Sequence, residues 1–238
     1  MNTDPATTAR STRHSRVDVV DAALGILDEL GLPDLTMRRL AAKLDVQPSA
    51  LYWHFENKQA LLAAVADRII AGARVPDAAR DVMRDGAQAR DGVSAAASER
   101  ASWQLATRAE ALALRDALLA YRDSAEVVSS TLALGLGAGE AHLRLAAAIA
   151  SGGFDAQTSE ASAAALLHYV LGHVWHEQQR LQADSLGVVA PAHAVGPESA
   201  SEVHATGGGV SPANGTAAFE FGLTLLLGGL SLLTQARS

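Results

Sequence analysis

Residues 35–58 read LTMRRLAAKLDVQPSALYWHFENK, a stretch that predicts two short helices, a tight turn between them and the start of a longer third helix. Thr36 can cap the first helix, its hydroxyl accepting a bond from a free backbone N–H. Leu40 and Leu44 recur at helical spacing and face inward, leaving Arg38, Arg39 and Lys43 on the outer side. Asp45-Val46-Gln47 makes the turn. Pro48 suits the first turn of the second helix, where its missing N–H would have been unpaired anyway. Leu51 and Phe55, four apart, pin that helix to the body. Ser49, Ala50, Tyr52, Trp53 and His54 spread around the rest of it. Asn57 is placed to cap the third helix, which starts at Lys58.

This spacing is that of a helix-turn-helix, whose second helix lies in the major groove with its first residues at base edges. A helical hairpin inside an ordinary bundle fits the periodicity equally well. Two features favour nucleic acid. Tyr52-Trp53-His54 is a costly surface to expose without a partner. Arg38, Arg39, Lys43 and Lys58 also cluster around this unit in a chain whose net charge is −7.

The stretch LTMRRLAAKLDVQPSALYWHFENKQALL resembles the DNA-binding domain of the TetR family of transcriptional repressors, and LYWH-x-x-NK-x-ALL its tetracycline-repressor branch in particular. The resemblance extends upstream through residues 19–24 and Leu30-Gly31. It implies an all-α fold: an N-terminal three-helix helix-turn-helix domain, then a larger helical ligand-binding and dimerisation domain. It also implies that Tyr52 and Lys58 hold phosphates while Arg38 and the start of the second helix read bases. The expected DNA surface is then Arg38, Pro48, Ser49, Ala50, Tyr52, Trp53, His54 and Lys58. Pro48 and Ser49 stand where that branch has glutamine then proline, so its operator sequence does not carry over.

Bulk composition limits the alternatives. The chain has 238 residues, 49% of them hydrophobic and only 4% aromatic, so its core is built from Ala, Leu and Val, a composition that favours helices. It has no cysteine, which excludes disulfides and thiolate metal sites. The acidic balance excludes a coat protein that covers DNA without preference, but not an operator reader with a local basic face. MNTDPATTARSTRHSR lacks the apolar core of a signal peptide. The apolar run over residues 223–233 reads as too short to span a bilayer. The expectation is a soluble, cytoplasmic protein with no membrane partner.

In chain order, residues 1–14 read as a disordered arm. Its Arg10 and Arg13, with Arg16 just beyond, are either phosphate or minor-groove contacts or part of a solvated tail. Residues 15–60 form the helix-turn-helix domain, opened by a capping-box pattern at Ser15 to Asp18. Residues 61–238 form the ligand-binding and dimerisation domain. Helix four runs from Lys58 to about Arg74 and belongs to both, so its rotation moves the reading helix. Residues 77–101 are weakly patterned. Helices are predicted over 102–123, 141–150, 159–181 and 217–234, with a flexible loop over 184–216 rich in Gly, Pro, Ala and Ser. The helices over 159–181 and 217–234 either fill a monomeric core or pair with their copies in a four-helix bundle. The resemblance favours the homodimer, and two reading heads about 34 Å apart would ask for a palindromic site.

His173, His176 and Glu177 can share one helix face, with His168 nearby. Zinc would accept such ligands, but wet or dimer-facing histidines explain them as well, and no metal or cofactor is expected. In the resembling branch the drug arrives as a magnesium chelate held by a histidine. Aligned through Arg122-Asp123, that position is Val128, which cannot ligate a metal. Other drug contacts fall on Arg74, Glu110, Leu114 and Leu132, and an acidic metal contact falls on His176. The expected effector is therefore organic, metal-free and fairly hydrophobic. Its expected lining is Trp103, Leu114, Leu118, Val128, Leu132 and His173, with Arg74 and Glu110 as polar anchors, plain core being the alternative. No nucleophile motif, phosphate loop or framed carboxylate pair indicates an enzyme. The sequence thus predicts a ligand-responsive repressor on double-stranded DNA. An activator, a ligand-independent regulator or a helical ligand-binding protein remain the competing readings.

Overall fold

A computed structural model describes residues 14–75, 95–187 and 212–235, and every regular element among them is helical. Helix α1 (Arg16–Leu30), a 3-10 turn (Leu32–Asp34), α2 (Met37–Lys43) and α3 (Pro48–Leu51) form the N-terminal head. Helix α4 (Lys58–Ala71) leads into the trunk: α5 (Ala95–Leu119), α6 (Ser124–Ala133), α7 (Gly139–Ala150), α8 (Ala156–Ser185) and α9 (Pro212–Gln235).

The helix starts follow local rules. Ser15 accepts from the Asp18 N–H while Asp18 accepts from the Ser15 N–H at 2.7 Å, a complete capping box. Thr36 caps α2 through the Arg39 N–H, and Asn57 caps α4 through the Ala60 N–H at 2.8 Å. Inward residues of the head, Val19, Ala23, Leu27, Leu40, Leu51 and Phe55, join Leu61, Val65 and Ile69 of α4 in one continuous core with the trunk. In the trunk α5 packs against α7 and α8, α6 bridges α4 and α8, and α9 lies on α8.

Several boundaries depart from the sequence-based expectation. The second reading helix is regular only through Leu51. His54 and Phe55 N–H groups both bond to the Leu51 carbonyl, so one last turn carries Tyr52, Trp53 and His54. Helix four stops at Ala71, not near Arg74, because Gly72 and Ala73 N–H groups close back on Ile69 and Ile70. Helix α5 starts at Ala95, within the segment of weak pattern, where Ala, Glu and Arg are strong helix formers. The sequence suggests only a short element at Val127-Val128, but residues 124–133 make a full helix.

Helix α8 continues to Ser185 and α9 begins at Pro212, so both ends of the predicted loop are helical; residues 188–211 lie outside the described residues. The predicted N-terminal arm, through residue 13, also lies outside them. Finally, Gly215–Leu233 is long and apolar enough to cross a membrane by length and composition, which corrects the shorter reading. The apolar run does not stop at Leu223, since Glu220 is the single charged residue in that window.

Candidate nucleic-acid interface and trunk core

The DNA-facing candidates occupy one side of the head. Arg38 is exposed on α2; Pro48 and Ser49 are exposed and Ala50 half-buried at the start of α3. Beyond Leu51, Tyr52 and Trp53 stand out at 52% and 91% exposure, a large aromatic surface left open among the described residues. His54 and Lys58 are half-buried at the edge of this surface. The basic residues divide in two. Arg39 pairs with Asp34 at 2.8 Å, and Lys43 with Glu29 at 3.1 Å. Among the described residues no carboxylate pairs with Arg38 or Lys58, so both keep their charge for an outside anion. Phosphate oxygens are such an anion, and contacts to them set register on the duplex.

The sequence did not reveal how the head is braced. Arg16 donates from Nη1 to the His54 carbonyl at 2.9 Å, its guanidinium 4.3 Å from the Phe55 ring centroid. His14 Nε2 donates to the Leu44 carbonyl at 2.9 Å. These contacts join residues 30 to 39 positions apart and have no local signature.

The head is also tied to the trunk. Asp123, 9% exposed and held at φ 54°, accepts from the Leu32 N–H at 2.8 Å and from Gln182 of α8. Gly31, at φ 87°, lets that carboxylate approach, since a Cβ there would come within 2.7 Å of it. Gln178, buried on α8, bonds the Leu118 and Tyr121 carbonyls and the Ser124 hydroxyl. Polar side chains from α8 thereby fix the α5–α6 corner that touches the head.

The effector-lining candidates separate in space. Trp103, Leu114, Leu118 and Val128 are fully buried in the common core, with Leu132 packed against it. Trp103 meets Phe154 edge-on at 5.0 Å and lies directly under Gly152. Glu110 is half-buried and pairs with Arg144, which the sequence did not single out, at 3.3 Å. Arg144 also donates to the Ala73 carbonyl at 2.8 Å, just past the end of α4. Arg74, by contrast, is exposed. His173 belongs to the seam between α8 and α9, with its ring 5.2 Å from Phe219 and its Nε2 3.2 Å from the Gly215 carbonyl. Glu177, weighed as a metal ligand with His173 and His176, is gripped by Arg115 at 2.8 Å through both oxygens. Among the described residues no three metal-binding side chains come together.

A head with an open basic and aromatic face, fused through α4 to a separate helical trunk, is the build of a helix-turn-helix transcription regulator. The family model for bacterial regulatory proteins of the tetR family matches residues 19–65, and that for the tetracyclin repressor-like C-terminal domain matches residues 96–233. The chain belongs to the TetR family. It is 33% identical over 224 residues to the class C tetracycline repressor protein of Escherichia coli, covering 90% of each chain. It is 32% identical over 227 residues to the class G protein of Vibrio anguillarum, covering 94% of this chain and 97% of that one. Among solved structures, Mycobacterium smegmatis BioQ superposes with a TM-score of 0.69 at 37% identity, over 92% of this chain and 98% of that chain. BioQ bound to its natural double-stranded DNA operator gives 0.63 at 35% identity, over 91% and 98%.

Proposed function

We propose that this regulator is a repressor that binds a palindromic operator as a homodimer and is released by a small, metal-free, hydrophobic effector. The carrying observation is a pair of cations, Arg38 and Lys58, that no carboxylate among the described residues matches, flanking exposed Tyr52 and Trp53 in an acidic molecule. Tyr52 and Lys58 hold phosphates, while Arg38 and residues 48–50, with Trp53 and His54 beside them, meet the groove. The operator-bound BioQ structure supports this reading of the head.

The dimer uses the outer faces of α8 and α9. Trp175, Phe221, Leu225 and Leu232 are 41%, 66%, 61% and 63% exposed in the single chain, an apolar face that a second copy would cover. The effector enters the core around Trp103, Leu114, Leu118, Val128 and Leu132, beside the polar pair Glu110 and Arg144. It acts by shifting α4, whose end Arg144 holds. Switching from mostly bound to mostly free needs roughly 5 kcal/mol of differential effector affinity. This activity places the protein in the cytoplasm with the DNA it reads.

The test is selection of a duplex from a random pool, followed by footprinting with and without candidate compounds. Tyr52→Ala and Lys58→Ala together should weaken binding to the selected duplex at least ~tenfold and flatten the salt dependence by about 0.9, for the one phosphate that Lys58 neutralises. Unchanged binding by that double variant would remove the basis for a DNA-reading head.

A further inference from the structure

We infer that Arg16 is a positioning residue for DNA reading, acting through the turn that carries Tyr52, Trp53 and His54 and not through the phosphate backbone. The inference rests on the DNA-reading function proposed above and assigns a new role within it.

Helix α3 is only four residues long. So short a helix has little internal stability, and its side chains point where its neighbours hold it. The entry to α1, His14 before its cap and Arg16 in its first turn, supplies that hold on both sides. Before α3, His14 Nε2 donates to the Leu44 carbonyl at 2.9 Å, next to Asp45, whose φ of 53° bends the chain into the turn. After α3, Arg16 Nη1 donates to the His54 carbonyl at 2.9 Å. A cation at the carbonyl end of a helical turn is favoured electrostatically as well as by the bond itself. Phe55, 1% exposed, anchors the same turn in the core, and the Arg16 guanidinium lies 4.3 Å from its ring centroid.

Arg16 is thus held by a ring and a carbonyl at once, which a planar guanidinium can do and an ammonium matches poorly. Trp53, at 91% exposure, is left almost unpacked by the described residues. The aromatic reading surface takes its direction from a backbone that Arg16 clamps 38 residues away in sequence.

The experiment compares wild type, Arg16→Lys, Arg16→Ala, Phe55→Leu and the Arg16→Lys/Phe55→Leu double variant. Each is titrated with the duplex selected by the wild type and with a scrambled duplex, across a salt series, at temperatures where circular dichroism shows the variant folded. Both Arg16 variants should lose about tenfold on the selected duplex and stay within ~twofold on the scrambled one, with the salt slope unchanged. The double variant should bind no worse than its weaker parent, because both changes break one clamp. Loss of stability alone would reduce binding to both duplexes equally, so their ratio isolates positioning. If Phe55→Leu fails to fold, the two Arg16 variants decide. The inference is overturned if Arg16→Lys binds like wild type while Arg16→Ala weakens both duplexes and lowers the salt slope by about 0.9, the behaviour of a residue that holds one phosphate. It is equally overturned if every variant matches wild type. A wild type that selects no duplex overturns the proposed function along with it.

Discussion

Arg144 reaches from α7 to the Ala73 carbonyl at 2.8 Å, while Glu110 of α5 stands 3.3 Å from its Nε. One side chain therefore joins the trunk core to the end of the helix that carries the head. Replacing it, Arg144→Gln, should speed amide exchange across residues 69–75, where one charge-assisted bond worth about 1.5–3 kcal/mol is removed. Unchanged exchange there would show that α4 is held by its apolar contacts alone. The proposed metal-free effector rests on Val128, which the resemblance places where its branch holds the metal with a histidine. Tetracycline with magnesium should leave the protein–duplex complex intact in a footprint. At the start of α1, hydrogen bonds from the Ser15 N–H and then the Ser15 hydroxyl hold the Asp18 carboxyl below its ordinary value of 3.8. A depressed acid stabilises the fold above its unfolded value and loses that contribution as pH falls through the folded one. Unfolding followed from pH 5 down to pH 2 should therefore lose a component in wild type that Asp18→Asn, which has no carboxyl to titrate, lacks throughout.

At the scale of elements, α9 is seated on α8 by a mixed polar and aromatic patch. Arg115, 6% exposed, grips Glu177 and lies over Phe219. Tyr169 stacks on Phe219 at 5.4 Å and donates its hydroxyl to the Phe219 carbonyl. Burial raises the Tyr169 hydroxyl above its ordinary 10, so it keeps the proton it donates. Glu177→Ala would leave the buried Arg115 guanidinium only the exposed Asp116 carboxylate, 3.7 Å from its Nη1, and should cost about 3 kcal/mol, read as a shift in the urea midpoint. Gly222→Ala should separate α9 from the same seat, since a Cβ there falls 2.2 Å from the Tyr169 hydroxyl. The helices themselves were legible because caps, prolines and apolar spacing are local. Ser15, Thr36 and Asn57 cap where the sequence says they should. The seat was not legible. Arg115 and Glu177 are 62 residues apart, and nothing near either one marks its partner.

For the whole molecule, the exposed faces of α8 and α9 carry the proposed dimer, and the dimer sets the spacing of the two heads. Phe221→Glu with Leu225→Glu should yield a single-chain mass by light scattering. It should also cut affinity for a palindromic duplex by about 100-fold or more, through the loss of avidity and not through any change in the head. A variant that stays dimeric would move the interface elsewhere. The ties among Asp123, Leu32 and Gln182 join the head to α8 by a route that does not run through α4.

What the amino-acid order determined by itself is whatever repeats over one or two turns: the helix-turn-helix, its caps, its inward leucines and the apolar trunk helices. The basic and aromatic residues of the reading face could be named because they sit together in one short stretch. Only the tertiary structure decided which cations are paired among the described residues, since Arg39 and Lys43 are consumed by Asp34 and Glu29 while no described carboxylate takes Arg38 or Lys58. It also moved Arg74 to the surface, moved His173 into the α9 seam and brought Arg144 to Glu110. Pairing of charges depends on separations through space across helices that the chain connects by long detours. A linear pattern carries no measure of those separations.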